Sequence, residues 1–354
     1  MSALYSSLKP LHFSDRLATM RAGRVPAPVH VRIKPTNVCN HSCYFCAYRS
    51  DAVSLGDGMD QRDRIPPAKM AEIVEDLIAM GVKAVTFSGG GEPLIYPGIA
   101  ETVTALGEAG IQVASLSNAS MLKGGIADAM AAHATWLRVS IDGWDNASYT
   151  AYRSVPEGAF DKVLANLEAF AARGSACILG ASIIVDERNA AHIAELCGRL
   201  KAAGVSHAKI SPCITSNDGA ETNRYHAAFR DTVLAQIAAA RTHEGDGFAV
   251  VDHYHDLPGS YDKPYHRCPM TSLLTVIGAD LKVYTCQDKA YTESGALGSI
   301  ADRRFAEFWH SADNAARLAA CDPAVHCRHH CVADAKNRLL NDYLGLDPEH
   351  LAFV

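Results

Sequence analysis

The amino-acid sequence predicts an α/β fold built on a parallel sheet. Short apolar runs of strand length alternate with helical segments as far as about residue 212, and two chemically reactive motifs directly follow strand-like runs. Alternating strands and helices are typical of βαβ units, whose strands lie parallel in one sheet. Six such units form a partial (β/α) barrel if the sheet curves, and an open doubly wound sheet if it does not.

Six strands are predicted in this part of the chain. They cover residues 29–33, 82–87, 111–116, 136–141, 178–185 and 208–210. Pro66 and Pro67 precede the first predicted helix, on which apolar residues recur at the 3.6-residue spacing of an amphipathic helix until Gly81 ends it. A second helix ends at Gly110. Three more helices are predicted at about 124–133, 159–172 and 190–203.

The chain is expected to divide into three regions. Residues 1–215 contain the strand–helix units and an N-terminal extension, residues 216–260 a linker or helical bridge, and residues 261–354 a small α+β domain. The bridge carries His253 and His255, which are interpreted as part of a partly exposed linker because no further metal-ligand residues accompany them at helical spacing.

The composition indicates a globular protein of a reducing compartment. The 354 residues are 48% hydrophobic and 20% charged, and the net charge of −6 comes with scattered Lys and Arg, so no nucleic-acid surface is expected. The first 26 residues lack the apolar core of a signal peptide, and no run approaches the roughly 20 apolar residues of a membrane span. The 11 cysteines are therefore interpreted as metal ligands and buried thiols in the cytoplasm.

Three cysteines follow the first predicted strand in the pattern C-x3-C-x2-C: Cys39, Cys43 and Cys46. Thiolates are soft ligands that suit zinc or iron–sulfur clusters. A closed zinc site or a complete cubane needs four protein ligands, and His41 is poorly placed in this tight loop to be the fourth. Three protein ligands leave one coordination position of the metal centre open, and an open position is typical of a reactive site.

This loop, together with Ser88-Gly89-Gly90-Gly91-Glu92-Pro93 after the second strand, resembles the radical S-adenosylmethionine superfamily. The resemblance selects the partial (β/α)6 TIM-like barrel over the open sheet. It implies a [4Fe–4S] cluster on the three cysteines, S-adenosylmethionine bound at the open iron, and reductive cleavage to a 5′-deoxyadenosyl radical. It also implies an external one-electron donor such as flavodoxin or ferredoxin. The alternative is a zinc loop with an unrelated glycine turn.

The resemblance further implies cofactor-binding residues at the carboxyl ends of the strands. They are Gly89, Gly90, Gly91 and Glu92 for the methionyl amino group, Ser117 and Asn118 after the third strand, Ser140 and Asp142 after the fourth, and Tyr44 and Phe45 near adenine. Arg153 is expected either to neutralise the methionyl carboxylate as a charged fork or to be a solvated helix arginine. For Tyr44 and Phe45 the alternative is ordinary core.

A second group of cysteines occupies the last quarter of the chain: Cys268, Cys286, Cys321, Cys327 and Cys331. The first two flank a predicted β-hairpin, and a helix near 303–320 separates them from the other three. The pattern resembles the SPASM and shorter Twitch extensions of radical enzymes. Two cysteines of the full SPASM pattern are absent, which favours one auxiliary [4Fe–4S] cluster held by Cys268, Cys286 and two of the final three. Zinc is the alternative, because sulfur ligation alone does not separate zinc from iron.

Three residues are candidates for catalysis. Asp288 and Lys289 follow Cys286, and an acidic residue near this cysteine resembles the base of sulfatase-maturing relatives, although Gln287 intervenes here. A surface charge is the alternative for both. Cys213 follows the sixth strand, where it would face the mouth of the barrel, whereas isolated Cys177 and Cys197 are interpreted as buried core.

The expected reaction is oxidation, or other functionalisation of a C–H bond, in a small hydroxylated or amino-bearing metabolite. Only 38 residues precede Cys39, fewer than the leader-recognition domain of many peptide-modifying relatives needs. Peptide or protein modification and radical epimerisation, with Cys213 as hydrogen donor, remain the alternatives. A non-catalytic iron–sulfur or zinc scaffold is a further one, against which the open-corner loop argues.

Overall fold

In the computed structural model, which describes residues 6–49, 56–254, 261–327 and 329–353, one sheet of ten strands runs through the described chain. Its order is β10-β9-β8-β1-β2-β3-β4-β5-β6-β7. The strands are β1 His30–Ile33, β2 Ala84–Phe87, β3 Gln112–Ser117, β4 Ala134–Ser140, β5 Ile178–Val185, β6 His207–Pro212, β7 Ala249–Asp252, β8 Leu274–Ile277, β9 Lys282–Tyr284 and β10 Ala296–Ser299.

Fourteen α-helices connect or follow these strands in the described residues. They are α1 Ser14–Arg21, α2 Pro67–Ala79, α3 Ile99–Glu108, α4 Gly124–His133, α5 Asn146–Arg153, α6 Ala159–Ala171, α7 Ile193–Ala202, α8 Gly219–Ala227, α9 Arg230–Ala240, α10 Met270–Leu273, α11 Phe305–Trp309, α12 Ala312–Ala319, α13 Pro323–His326 and α14 Asp334–Leu344. No helix within the described ranges has the length and apolar character to cross a membrane.

The prediction of a parallel α/β sheet is confirmed. Strands β1 to β7 pair in parallel, and each of the six predicted strands is present with ends shifted by at most a few residues. The sheet extends further than expected on both sides. Strand β7 lies inside the region predicted as a linker, and β8 pairs in parallel with β1, matching Leu274 with His30.

His253, which directly follows β7, is half-buried, so the interpretation as a partly exposed stretch fits this residue, whereas its neighbour is more deeply buried. Tyr254 is fully buried, and its hydroxyl lies 3.0 Å from Nδ1 of His226 on α8. It is buried because β7 joins the sheet immediately before it. His255 lies outside the described residues.

The two faces of the sheet have different chemistry. One face is apolar and packs against the helices, with Val31, Ile33, Phe87 and Leu137 fully buried in the main core. Each such side chain stabilises the fold by about 1.5–3 kcal/mol. The other face, called the polar face below, is defined by His30, Arg32, Thr86, Arg138 and His207. Since side chains alternate along a strand, the same short strands build the core on one side and a polar lining on the other.

Candidate active site

The cysteine loop begins directly after β1 and is attached to the turn that follows β2. Cys39, Cys43 and Cys46 are all partly buried, and their sulfurs form no disulfide. The backbone N–H of Gly91 donates to the carbonyl oxygen of Thr36 at 3.1 Å, and that of Glu92 donates to Val38 at 2.9 Å. The carboxyl ends of β1 and β2 are thereby held side by side.

The glycine turn packs so tightly that side chains would not fit. A Cβ on Gly90 would lie 2.4 Å from Oδ1 of Asn37, and a Cβ on Gly91 would lie 1.9 Å from the carbonyl oxygen of Val38. Lys34, which is fully buried after β1, donates from Nζ to the carbonyl oxygen of Gly89 at 2.8 Å and to the Tyr48 hydroxyl at 2.6 Å. Burial, followed by the charge of Arg32, lowers the pKa of Lys34 to about 7.

Glu92 joins the glycine turn to the end of β3. Its carboxylate accepts from Ser117 Oγ at 2.7 Å, from the backbone N–H of Asn118 at 2.7 Å and from that of Leu94 at 2.9 Å. Burial raises the pKa of Glu92, and these donors oppose the rise. Asn118 also donates to Oδ1 of Asn40 in the cysteine loop at 2.9 Å. Glu92, Ser117 and Asn118, all predicted to bind cofactor, thus lie together. The Glu92 carboxylate accepts hydrogen bonds from protein donors.

Asp142 and Arg153 form a buried ion pair at the end of β4. The guanidinium of Arg153 also lies 3.5 Å from the sulfur of Cys43, and Oδ1 of Asp142 accepts from the backbone N–H of Ile184 at 2.7 Å. The interpretation of Arg153 as a solvated helix arginine is wrong, because only 4% of the residue is exposed. Ser140 is partly buried in the register position beside Ser182 of β5.

Tyr44 and Phe45 lie in an aromatic cluster in the cysteine loop, beyond the carboxyl end of β1. Their ring centroids are 5.4 Å apart, and both rings contact Tyr152 on α5. Tyr44 is 42% exposed, so it is not ordinary core. Its hydroxyl donates to Asp186, which follows β5, and the guanidinium of Arg188 lies 4.0 Å from its ring centroid.

The second cysteine group gathers at the opposite end of β1. Cys268 precedes α10 and β8, and Cys286 follows β9, which runs back along β8 towards Leu274 and its partner His30. All five cysteines are partly buried. Burial is the main cause that raises the pKa of Cys268, and the charges of Cys321, Cys331 and Cys327 raise it further. These cysteines are therefore near enough to Cys268 to interact electrostatically.

Asp288 lies beside this second group and within reach of β1. Ligand-type atoms of Cys286, Asp288 and His329 all lie within 4.8 Å of one another. Burial raises the pKa of Asp288 to about 6, against the opposing charges of Arg32 and Lys34. The alternative of a surface charge is wrong for Lys289, which is buried next to it.

Cys213 directly follows β6, at the carboxyl ends of the parallel strands. Its carbonyl oxygen is 2.8 Å from Nε2 of His226, and burial raises the pKa of its thiol to about 12. Cys177 and Cys197 are buried, as predicted.

Sequence reasoning missed several residues of this region. Arg32, Lys34 and His329 lie around Asp288 in space. The first two belong to the segment of β1, which is remote in sequence from Asp288 and His329. The available signal was the alternation of His30, Arg32 and Lys34 with apolar residues, since polar side chains at every second position of a buried strand indicate a lined cavity.

The residues of the cysteine loop fit a three-cysteine cluster. Its three soft donors are half-buried, form no disulfide and lie beside the glycine turn, which packs directly against Asn37 and Val38 of the loop. Burial raises the pKa of Cys39 to about 11 and also raises that of Cys43, so these thiols would bind as thiolates only where a cation compensates the charge.

Comparison with known proteins gives one family match and several structural similarities. Residues 33–200 match the model of the Radical SAM superfamily, and this match includes the cysteine loop and the glycine turn. A curated relative, GTP 3',8-cyclase of Synechococcus elongatus, is 31% identical over 143 residues, which are 39% of this chain and 41% of that protein. The chain thus spans about two fifths of the length of the curated relative that it matches.

Solved structures share the fold over most of the chain. SuiB of Streptococcus suis bound to the precursor peptide SuiA superposes with a TM-score of 0.61 at 16% identity, over 87% of this chain and 70% of SuiB. Native anSMEcpe with bound AdoMet gives a TM-score of 0.57 at 15% identity, over 89% of this chain and 96% of that chain. The chain therefore shares with these proteins a mostly α/β fold built on a parallel sheet.

Proposed function

We propose that this protein is a radical SAM oxidoreductase with two iron–sulfur centres. Cys39, Cys43 and Cys46 would hold the [4Fe–4S] cluster, which when bound supplies the electron for reductive cleavage of S-adenosylmethionine to a 5′-deoxyadenosyl radical. Cys268 and Cys286, with two of the three cysteines at 321, 327 and 331, would hold an auxiliary [4Fe–4S] cluster, which when bound supplies an electron acceptor.

The observation that carries this proposal is the position of the polar face between the two cysteine groups. Strand β1 has four residues, about 13 Å at roughly 3.3 Å per residue, and the groups lie beyond its opposite ends. A substrate on the polar face would be reached from both. A zinc scaffold has no need of a polar lining between two remote sites.

The described residues support distinct roles at the two ends. Gly89, Gly90 and Gly91 would receive the methionyl amino group beside the cysteine loop, and the Glu92 carboxylate would hold the turn in shape. Tyr44 and Phe45 would border adenine. Asp288 is proposed as the base that takes a proton from the oxidised substrate, because a pKa of about 6 suits proton transfer near neutral pH. Lys289, the next residue along the chain, is proposed as a second catalytic residue.

The proposed substrate is a small hydroxylated or amino-bearing metabolite. SuiB binds a precursor peptide, so peptide modification is the second candidate, supported by the shared fold. In either case a net oxidation removes two hydrogens: one as an atom taken by the 5′-deoxyadenosyl radical, the other as a proton and an electron.

The test is formation of 5′-deoxyadenosine by anaerobically reconstituted protein under dithionite. Replacing Cys39, Cys43 and Cys46 together by Ala should abolish it, because no three-thiolate site remains. The matched control replaces the buried cysteines Cys177 and Cys197 by Ala and should retain it. Cleavage that survives in the triple variant would show that the radical centre has been assigned to the wrong loop.

The same assay with substrate separates oxidation from epimerisation. A simple dehydrogenation gives one 5′-deoxyadenosine per product and a product about two mass units lighter than the substrate, by hydrogen count. Unchanged mass with solvent deuterium on carbon would contradict oxidation and favour an epimerase that uses Cys213 as hydrogen donor.

A further inference from the structure

Three side chains of different chemistry lie together beside the second cysteine group. Ligand-type atoms of Cys286, Asp288 and His329 are all within 4.8 Å of one another. We propose that these side chains form a site for a single divalent ion of the zinc type, which competes with the auxiliary cluster for Cys286. This inference goes beyond the proposed function, because it concerns the chain before a cluster is assembled on it.

The spacing of the three donors fits a single ion. Zinc binds sulfur at about 2.3 Å and nitrogen or oxygen at about 2.0–2.2 Å, so small rotations of the side chains would bring all three donors to one point. Within the part of the chain that the structure describes, no other three potential ligands lie so close together, and this group contains one cysteine. A cubane distributes its four ligands over four irons, so it does not require such close donors. The geometry is therefore that of a mononuclear site.

The donor types select the ion. A thiolate is soft, an imidazole is intermediate and a carboxylate is hard, and zinc accepts all three. The charges of Arg32, Lys34 and Lys263 act on the Asp288 carboxylate and oppose a cation beside it. Mg²⁺ prefers oxygen ligands and would gain only this one carboxylate, whereas zinc also gains bonds to sulfur and nitrogen. We therefore expect the site to bind zinc or cobalt and to exclude Mg²⁺.

The ligands come from two segments that the fold holds in place. Cys286 immediately precedes the short 3-10 helix Gln287–Lys289, which carries Asp288, and His329 lies between α13 and α14. The buried Lys263 donates from Nζ to the carbonyl oxygen of His329 at 3.1 Å and to that of Tyr261 at 2.8 Å. Contacts behind a ligand orient it towards the metal. An ion here would join the end of the hairpin to the segment before α14.

Zinc and the auxiliary cluster are alternatives, because both need the sulfur of Cys286. A zinc ion on this sulfur would leave the auxiliary cluster without one of its proposed ligands. It would also occupy Asp288, the proposed base. The cysteine loop at the opposite end of β1 shares none of these donors. Zinc bound first should therefore prevent assembly of the second centre and leave the first one free to form.

The experiment is anaerobic titration of the reduced, metal-free full-length chain with Co²⁺, followed by displacement with Zn²⁺. The parent protein has Cys39, Cys43 and Cys46 changed to Ala, so that the first loop binds no ion. We expect one tightly bound cobalt with the charge-transfer absorption of a single thiolate, which zinc displaces and Mg²⁺ does not. His329→Ala and Asp288→Asn should each weaken binding at least about tenfold, because each removes a ligand.

Matched controls separate this site from a site made of cysteines. His326→Ala and Asp313→Asn change an exposed histidine and an exposed aspartate and should keep the parent affinity. Cys321→Ala should keep it too, because Cys321 is outside the group of three. The inference is overturned by the absence of a tightly bound cobalt, by equal affinity in His329→Ala and Asp288→Asn, or by loss of binding in Cys321→Ala with absorption from several thiolates. Circular dichroism verifies the folding of each variant.

Iron analysis tests the competition. Wild-type protein given one equivalent of zinc before reconstitution should bind about four irons per chain, against about eight without zinc. About eight irons with the zinc retained would show that the two centres do not compete, and would overturn that part of the inference. About four irons without zinc would instead contradict the proposed auxiliary cluster. The cobalt titration needs neither iron nor S-adenosylmethionine, so its result stands apart from the proposed function.

Discussion

At the scale of single residues, Gly91 shows how the cysteine loop is shaped. Its Cα lies so near the loop that a Cβ would come within 1.9 Å of the Val38 carbonyl oxygen, which is backbone and cannot swing aside. Gly125, in the first turn of α4, has no atom within 4 Å of an added Cβ. The same substitution therefore has opposite consequences at the two positions.

We predict that Gly91→Ala lowers the free energy of unfolding by about 1–3 kcal/mol through overpacking and reduces the iron bound after reconstitution. Gly125→Ala should raise the free energy of unfolding by about 0.4–1 kcal/mol, because it restricts the unfolded chain without a clash. Urea unfolding and iron analysis of both variants provide the measurement. Full iron loading in Gly91→Ala would contradict the link between turn and loop.

Lys34 allows a second prediction at this scale. The unfolded side chain keeps its proton up to about pH 10.4, whereas the buried one releases it near pH 7. Between these values the unfolded state binds more protons, so stability due to Lys34 rises with pH and is lost as pH falls through about 7. Relative to Lys34→Met, the wild type should gain about 3–4 kcal/mol from pH 7 to pH 10.

Urea unfolding of both proteins at pH 7, 8, 9 and 10 measures this gain. Lys83→Met serves as the control, because Lys83 is exposed and should show no such difference. A wild-type advantage that stays constant with pH would contradict the burial of Lys34 as a neutral amine.

At the scale of elements, the hairpin β8–β9 carries the second cysteine group to the sheet. Strand β8 pairs with β1 over four residues, and Thr275 on β8 donates to the carbonyl oxygen of Tyr284 on β9 at 2.8 Å. The hairpin thus holds Cys286 at the end of β1 that lies opposite the cysteine loop. Loss of ligands there should leave the loop intact, because the two groups share no described contact through their sulfurs.

We predict that Cys268→Ala combined with Cys286→Ala lowers the iron content from about eight to about four per chain, the difference of one cubane. Formation of 5′-deoxyadenosine without substrate should persist, while product formation falls. The control with Cys177 and Cys197 changed to Ala should keep about eight irons. Loss of both centres together would make the hairpin a structural element and remove the redox argument.

At the scale of the whole molecule, the N-terminal and C-terminal parts are joined by buried polar contacts as well as by the sheet. Asp76 on α2 accepts from Arg304 Nε at 2.7 Å and from the backbone N–H of Ala306 at 3.1 Å, where α11 begins. The indole N–H of Trp309 donates to the carbonyl oxygen of Pro26 at 2.8 Å. The last quarter of the chain is therefore fixed to the helices of the first.

We predict that Asp76→Ala lowers the free energy of unfolding by about 2–4 kcal/mol, because it removes a buried acceptor from two donors. Glu75→Ala is the matched control. Its side chain is 68% exposed and pairs with the same Arg304, so its loss should change stability by at most about 0.5 kcal/mol. Equal effects in urea unfolding would show that α11 is not held through Asp76.

The sequence by itself determined six strands of the parallel sheet, most of the helices between them and both cysteine groups. Period-2 and period-3.6 patterns are local, and the cysteine loop and glycine turn each lie within eight residues. Their placement after β1 and β2 followed from the same local order. For these features the chemistry needed to recognise them is contained in one short segment.

Only the tertiary structure decided which remote residues meet. Strand β7 is a four-residue run after a polar loop, too short to separate from a linker until β6 pairs with it. The partner of Arg153 is Asp142, and Arg32 shares its environment with Arg138, more than one hundred positions away. Burial and pairing are properties of the folded sheet, because a side chain loses its water only when distant strands lie beside it.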